Sequence, residues 1–154
     1  MFHVVLFEPE IPPNTGNIIR LCANSGSSLH LIHPLGFKLD DKRLRRAGLD
    51  YHEWAEVGEY DSLENFLHQV APSRLYACTT KAERSYAEVA YMPGDALLFG
   101  PESRGLPEEV LCAMDPDNRI RIPMKPQSRS LNLSNAVTLI LYEAWRQRGF
   151  EGGL

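Results

Sequence analysis

Short apolar runs alternate with stretches whose apolar residues recur every three or four positions, and this alternation continues along the whole chain. Residues 2–7, 29–32, 75–79 and 96–99 are apolar-rich runs bounded by polar or turn-forming residues, which predicts strands, and residues 119–122 read as the last strand. Residues 15–24 predict a helix, with Asn14 or Thr15 as its cap and Gly26 just beyond its end. In residues 62–70, Leu63, Phe66, Leu67 and Val70 fall at helical spacing, and Asp61 with Glu64 has the form of a capping box. A basic helix is predicted from near Asp40 to Gly48, an extended stretch over 53–57, and a further helix from Pro107 through residue 114. Strands alternating with helices predict an α/β fold, a parallel sheet flanked by helices on both faces. The 154 residues fit a single domain, 1–154, whose last few residues, about 151–154, are expected to fray.

The final helix, about 132–148, is greasy on more than one side. Leu133, Val137, Ile140, Leu141, Ala144 and Trp145 form a stripe sufficient to cover a sheet, and Ala136, Leu139 and Tyr142 carry the apolar surface round the cylinder. A second subunit is the economical cover for that extra face, so a homodimer is expected. Burial between the sheet and loops of one monomer is the other solution.

Composition narrows the function. No apolar run approaches the roughly 18 residues of a membrane span, and the first residues lack the basic start of a signal peptide, so the expected location is cytoplasmic, with no membrane partner. Cysteines 22, 78 and 112 form no C-x-x-C pair and the five histidines no H-E-x-x-H pair, so no metal is expected. The net charge of −4 argues against coating nucleic acid by bulk charge. Between residues 38 and 46, however, five basic residues stand against two acidic ones. Two readings are open: a solvated helix with Asp40 and Asp41 at its positive end, or a phosphate-contacting patch containing Lys42, Arg45 and Arg46.

Three polar loops carry candidate chemistry. Asn14-Thr-Gly-Asn-Ile-Ile-Arg20 follows the first strand, and Arg20 offers a planar fork of donors suited to a phosphate or a substrate oxygen, or to an ion pair with a carboxylate such as Glu8. A guanidinium holds its proton at neutral pH, so Arg20 is no simple general base. Ala96-Leu-Leu-Phe-Gly-Pro-Glu-Ser-Arg-Gly-Leu-Pro107 places Glu102 in a turn at a strand's carboxyl end, positioned to accept a proton or hold an arginine, or merely to pair with Arg104 at the surface. Ile120-Arg-Ile-Pro-Met-Lys-Pro-Gln-Ser-Arg-Ser-Leu-Asn-Leu-Ser-Asn135 opens the last helix with more hydroxyl and amide groups than a cap needs. No G-x-G-x-x-G or P-loop pattern is present, which excludes the usual dinucleotide and ATP cradles. Such loops at strand ends are where an open α/β sheet binds a small ligand.

These three segments resemble the three motifs of the SPOUT methyltransferases. Glu8-Pro-Glu-Ile-Pro-Pro-Asn14, the stretch from Asp40 to His52, and Tyr142-Glu-Ala-Trp-Arg146 resemble the YibK/TrmL subgroup in particular, and the likeness covers residues 1–150. The resemblance implies a SPOUT-type fold with a C-terminal trefoil knot, a homodimer, and S-adenosylmethionine as cofactor, released as S-adenosylhomocysteine. It implies methylation of a ribose 2′-hydroxyl at the wobble nucleotide, cytidine or uridine, of leucine tRNAs. By position, it assigns the cofactor to Cys78, Thr79, Gly100, Ile122, Met124, Ser130 and Leu131, and the catalytic and substrate-orienting roles to Arg20, Glu102 and Asn132. In the Ala82-Glu-Arg-Ser-Tyr86 segment the chain departs from the subgroup, lacking a glycine and a His-Ser step. Two rivals remain: a methyltransferase acting at another RNA site, and a non-catalytic RNA-binding protein on the same fold.

Overall fold

The computed structural model describes the chain except residues 46, 47, 50–52 and 55 and the side chain of residue 45. Arg46 and the side chain of Arg45, expected in the basic patch, therefore lie outside what is described. The elements are β1 (His3–Phe7), α1 (Pro12–Ser25), β2 (Ser28–Ile32), α2 (Lys42–Arg45), β3 (Val57–Tyr60), α3 (Leu63–Val70), β4 (Leu75–Cys78), β5 (Arg84–Ser85), β6 (Ala96–Phe99), α4 (Glu108–Cys112), β7 (Arg119–Arg121) and α5 (Leu133–Gln147). The strands form one sheet in the order β3-β2-β1-β6-β4-β7-β5, and every pairing is parallel. The expected parallel sheet with flanking helices is thus observed.

Strand alternation sorts the core into two layers. Val4 and Leu6 of β1 and Leu97 and Phe99 of β6 face Ile18, Ile19 and Cys22 of α1 and Val137, Ile140, Leu141 and Ala144 of α5. Val5, Ala96 and Leu98 point the other way, to Phe66 of α3 and Leu111 of α4. The predicted stripe on α5 is therefore the buried one, while Leu139 remains 42% exposed.

Several local expectations are corrected. Helix α1 starts earlier than predicted, with Ile11 at the N-cap and no side-chain cap, because Pro12 and Pro13 suit the first turn, where an N–H has no helical partner. Asn14 and Thr15 are buried inside the helix. Gly26 ends it in the left-handed region, φ 69°, as expected. The cap of α3 is Ser62, whose side chain accepts from the Asn65 N–H, rather than an Asp61–Glu64 box. Residues 53 and 54 are helical, and the extended segment begins at Val57. The basic segment is helical over Lys42–Arg45 and not from Asp40, since the Asp41 carboxylate accepts from the Arg43 N–H.

At the amino end of the sheet, polar groups close on one another. Asp95, fully buried, accepts from Arg74 Nε at 2.9 Å and Nη2 at 2.6 Å and from the Met92 N–H at 2.8 Å. Gln147, at the end of α5, bonds the backbone of Val89 and Tyr91. Across β1, β2 and β3 the rings of His3 and His30 and the Tyr60 hydroxyl form a chain at 3.0 and 2.9 Å. Burial, with the neighbouring His3 adding to it, pushes His30 down to about 4. No helix among the described residues is long and apolar enough to cross a membrane.

Candidate active site

At the opposite, carboxyl end of the sheet the loops after β4, β6 and β7 surround a cavity of about 500 Å³. The turn after β6 is tight: Gly105 N–H donates to Pro101 O at 2.9 Å, and Gly105 takes φ 67°. A Cβ on Gly100 would stand 2.3 Å from the Leu106 nitrogen, so only glycine fits there.

Glu102 is the hub of the site. One oxygen accepts the Glu10 N–H at 2.9 Å, and the other accepts the Ile11 N–H at 2.7 Å and Asn14 Nδ2 at 3.2 Å. The carboxylate thus sits at the positive end of α1, in the place of the side-chain cap this helix lacks. Asn14, buried, relays the contact: its Oδ1 accepts from Asn132 Nδ2 at 3.0 Å. Asn132 in turn caps α5, its Oδ1 accepting from the Ser134 N–H at 2.9 Å and the Ser134 hydroxyl at 2.6 Å. One carboxylate is therefore connected to the N-termini of both helices beside the cavity.

Of the expected cofactor residues, Cys78, Thr79, Gly100, Ile122, Met124, Ser130 and Leu131 all line this cavity, together with Glu102 and Asn132. Arg20 does not. Its Nε donates to Glu53 Oε2 at 2.7 Å and its Nη2 to the Gly48 carbonyl, so its carboxylate partner is Glu53, while Glu8 lies 3.5 Å from Arg104. Lys42 is exposed at the basic segment, whereas its neighbour Arg43 is tied to Asp41. Burial pushes the Cys78 thiol up to about 12, so it remains protonated and is no nucleophile. No group of three metal-ligating side chains occurs among the described residues.

Sequence reasoning missed Asn14 as a link between loops. Its only signal was its place in the Asn14-Thr-Gly segment, which equally suits a helix cap. It also missed Glu10, whose carboxylate accepts from the Ser103 N–H and hydroxyl. Those partners lie far apart in the chain.

The cavity has mixed chemistry. Phe99, Ile122, Met124, Leu131 and Leu133 give apolar faces, and Thr79, Ser130 and Asn132 give polar ones. Among the described residues, the backbone groups of Met124, Ser130 and Leu131 take no partner within the chain. Flat apolar walls beside open amide donors and acceptors suit a nucleoside with a hydrogen-bonding ring edge.

The chain is similar to known proteins along its whole length. The tRNA (cytidine(34)-2'-O)-methyltransferase of Aeromonas hydrophila is 61% identical over 154 residues, covering 100% of this chain and 99% of that one. A solved structure described as "Structural insights into the 2-OH methylation of C/U34 on tRNA" is 47% identical, covers 97% of both chains and superposes with a TM-score of 0.88. The SpoU methyltransferase AviRb from Streptomyces viridochromogenes, in complex with the cofactor AdoMet, is 25% identical with a TM-score of 0.83, covering 95% of this chain and 60% of that one. A family model described as the SpoU rRNA Methylase family matches residues 1–142. The chain belongs to that family.

Proposed function

We propose that this protein transfers a methyl group from S-adenosylmethionine to the ribose 2′-hydroxyl of nucleotide 34, cytidine or uridine, in leucine tRNAs, working in the cytoplasm as a homodimer of single-domain chains. The observation that carries the reading is the convergence of three distant loops on one nucleoside-sized cavity, in a chain 61% identical to a tRNA (cytidine(34)-2'-O)-methyltransferase. The cavity chemistry fits the cofactor: apolar walls for the adenine faces and unpartnered backbone groups for its edge. The same reading carries the trefoil threading of the segment after β7.

S-adenosylmethionine, when bound, supplies a methyl on a positively charged sulfur that is already reactive. What remains for the chain is orientation and desolvation. Cys78, Thr79, Gly100, Ile122, Met124, Ser130 and Leu131 hold the cofactor. Asn132 positions the substrate, with its amide direction set by Asn14 and the α5 cap. Glu102 acts through Asn14, since both its oxygens accept from groups of the chain. Arg20, braced by Glu53, binds a phosphate or the 2′-oxygen of the RNA. Lys42, Arg45 and Arg46 add phosphate contacts, and the exposed Leu139 face of α5 packs on a second copy.

The test mixes protein, methyl-labelled S-adenosylmethionine and bulk tRNA, then digests to nucleosides and maps the label. The expected product is 2′-O-methylcytidine or 2′-O-methyluridine at position 34 of leucine tRNAs. Label confined to ribosomal RNA in a parallel reaction, or no label at all, would overturn the assignment.

A further inference from the structure

The loops after β1 and β6 leave the sheet side by side, because Leu6 and Phe99 are register partners on adjacent parallel strands. They then exchange carboxylates. Glu102 of the second loop takes the backbone N–H groups of Glu10 and Ile11 in the first. Glu10 of the first takes the Ser103 N–H at 2.8 Å and the Ser103 hydroxyl at 2.8 and 3.0 Å. Arg104 reaches Glu8 at 3.5 Å alongside. The loop after β2 supports the pair from beneath: Gly36 donates to Pro9 O, and a Cβ on Gly36 would stand 2.8 Å from the Glu10 Cα.

We infer that Glu10 and Ser103 are positioning residues, whose contact completes a two-way clasp that locks both loops into one wall of the cofactor cavity before the ligand arrives. Glu102 alone fixes one direction. It holds residues 10 and 11 yet makes no bond from the backbone of its own turn to the first loop. The Glu10 contact fixes the backbone of that turn in return, so the wall formed by Ile11, Asn14 and residues 100–106 moves as a unit. Without it, ordering the turn becomes part of the cost of binding, and affinity drops although every group that touches the ligand is still in place. The electrostatics agree: the Ser103 backbone N–H first, then its hydroxyl, hold the Glu10 carboxyl below its ordinary value.

This inference rests on the proposed function, and its test separates the two. Calorimetric titration of S-adenosylhomocysteine into the full chain needs no catalysis. The unaltered protein binds; Glu10→Ala, which removes the acceptor of both the Ser103 N–H and the Ser103 hydroxyl, binds about tenfold more weakly. Glu10→Gln, which keeps a side-chain oxygen to accept the Ser103 N–H, restores affinity to within about threefold. Melting curves taken alongside show whether Glu10→Ala is folded. Glu10→Ala binding as tightly as the unaltered chain, or Glu10→Gln as weak as Glu10→Ala, overturns the clasp. An unaltered protein that does not bind the nucleoside overturns the proposed function itself.

Discussion

The two ends of this sheet put the same kinds of group to opposite uses. At the amino end a buried carboxylate, Asp95, is matched by Arg74 and a backbone N–H, and Gln147 completes the backbone of residues 89 and 91. At the carboxyl end Glu102 is as fully engaged, but its partners are the loops of a cavity whose backbone groups at Met124, Ser130 and Leu131 stay open among the described residues. Closed polar networks make an end stable. An end that holds its loops with remote carboxylates and keeps other groups unpaired is built for a ligand.

The contrast can be broken most forcefully at Asp95. Asp95→Asn removes the charge facing Arg74 and should cost about 3 kcal/mol in chemical denaturation, while the affinity for S-adenosylhomocysteine of the folded fraction stays unchanged. A large loss of affinity there would mean that the two ends are not separable. Arg20→Ala should do the reverse, lowering methylation about a hundredfold with only a small change in melting temperature. Unchanged tRNA binding and methylation would remove Arg20 from the site. Reversing Lys42, Arg45 and Arg46 to glutamate should weaken tRNA about tenfold and flatten the salt dependence, leaving the nucleoside affinity as it was. The smallest effect is at the histidine chain. His30 titrates near 4 when folded and near its ordinary 6.5 when unfolded, so its contribution is present above about 6.5 and is lost as pH falls through 4. His30→Gln should flatten the stability–pH curve across that window.

The carboxyl-end loops were legible in the chain itself, while the Asp95–Arg74 pair and the Gln147 contacts at the amino end were not. Strands β1, β2, β4 and β6 were readable because each is an apolar run between turn residues, and the cofactor loops because polar residues crowd the ends of such runs. What stayed hidden depended on partners remote in sequence. Glu102 takes the place of a cap on a helix 91 residues away, so Asn14 and Thr15 were assigned a capping task the fold does not need. Arg20 meets Glu53 rather than Glu8, a pairing across 33 positions that no local pattern shows. The pair of residues in β5 is too short to show a period at all.

Amide hydrogen exchange with and without S-adenosylhomocysteine reports which end of the sheet takes the ligand. Binding should slow exchange at residues 79–81, 105–106 and 130–133, at the carboxyl end, and leave residues 89–95 at the amino end unaffected. Protection at the amino end, or along the outer faces of α3 and α4 with the three loops unchanged, would show that the carboxyl-end cavity is not the ligand site.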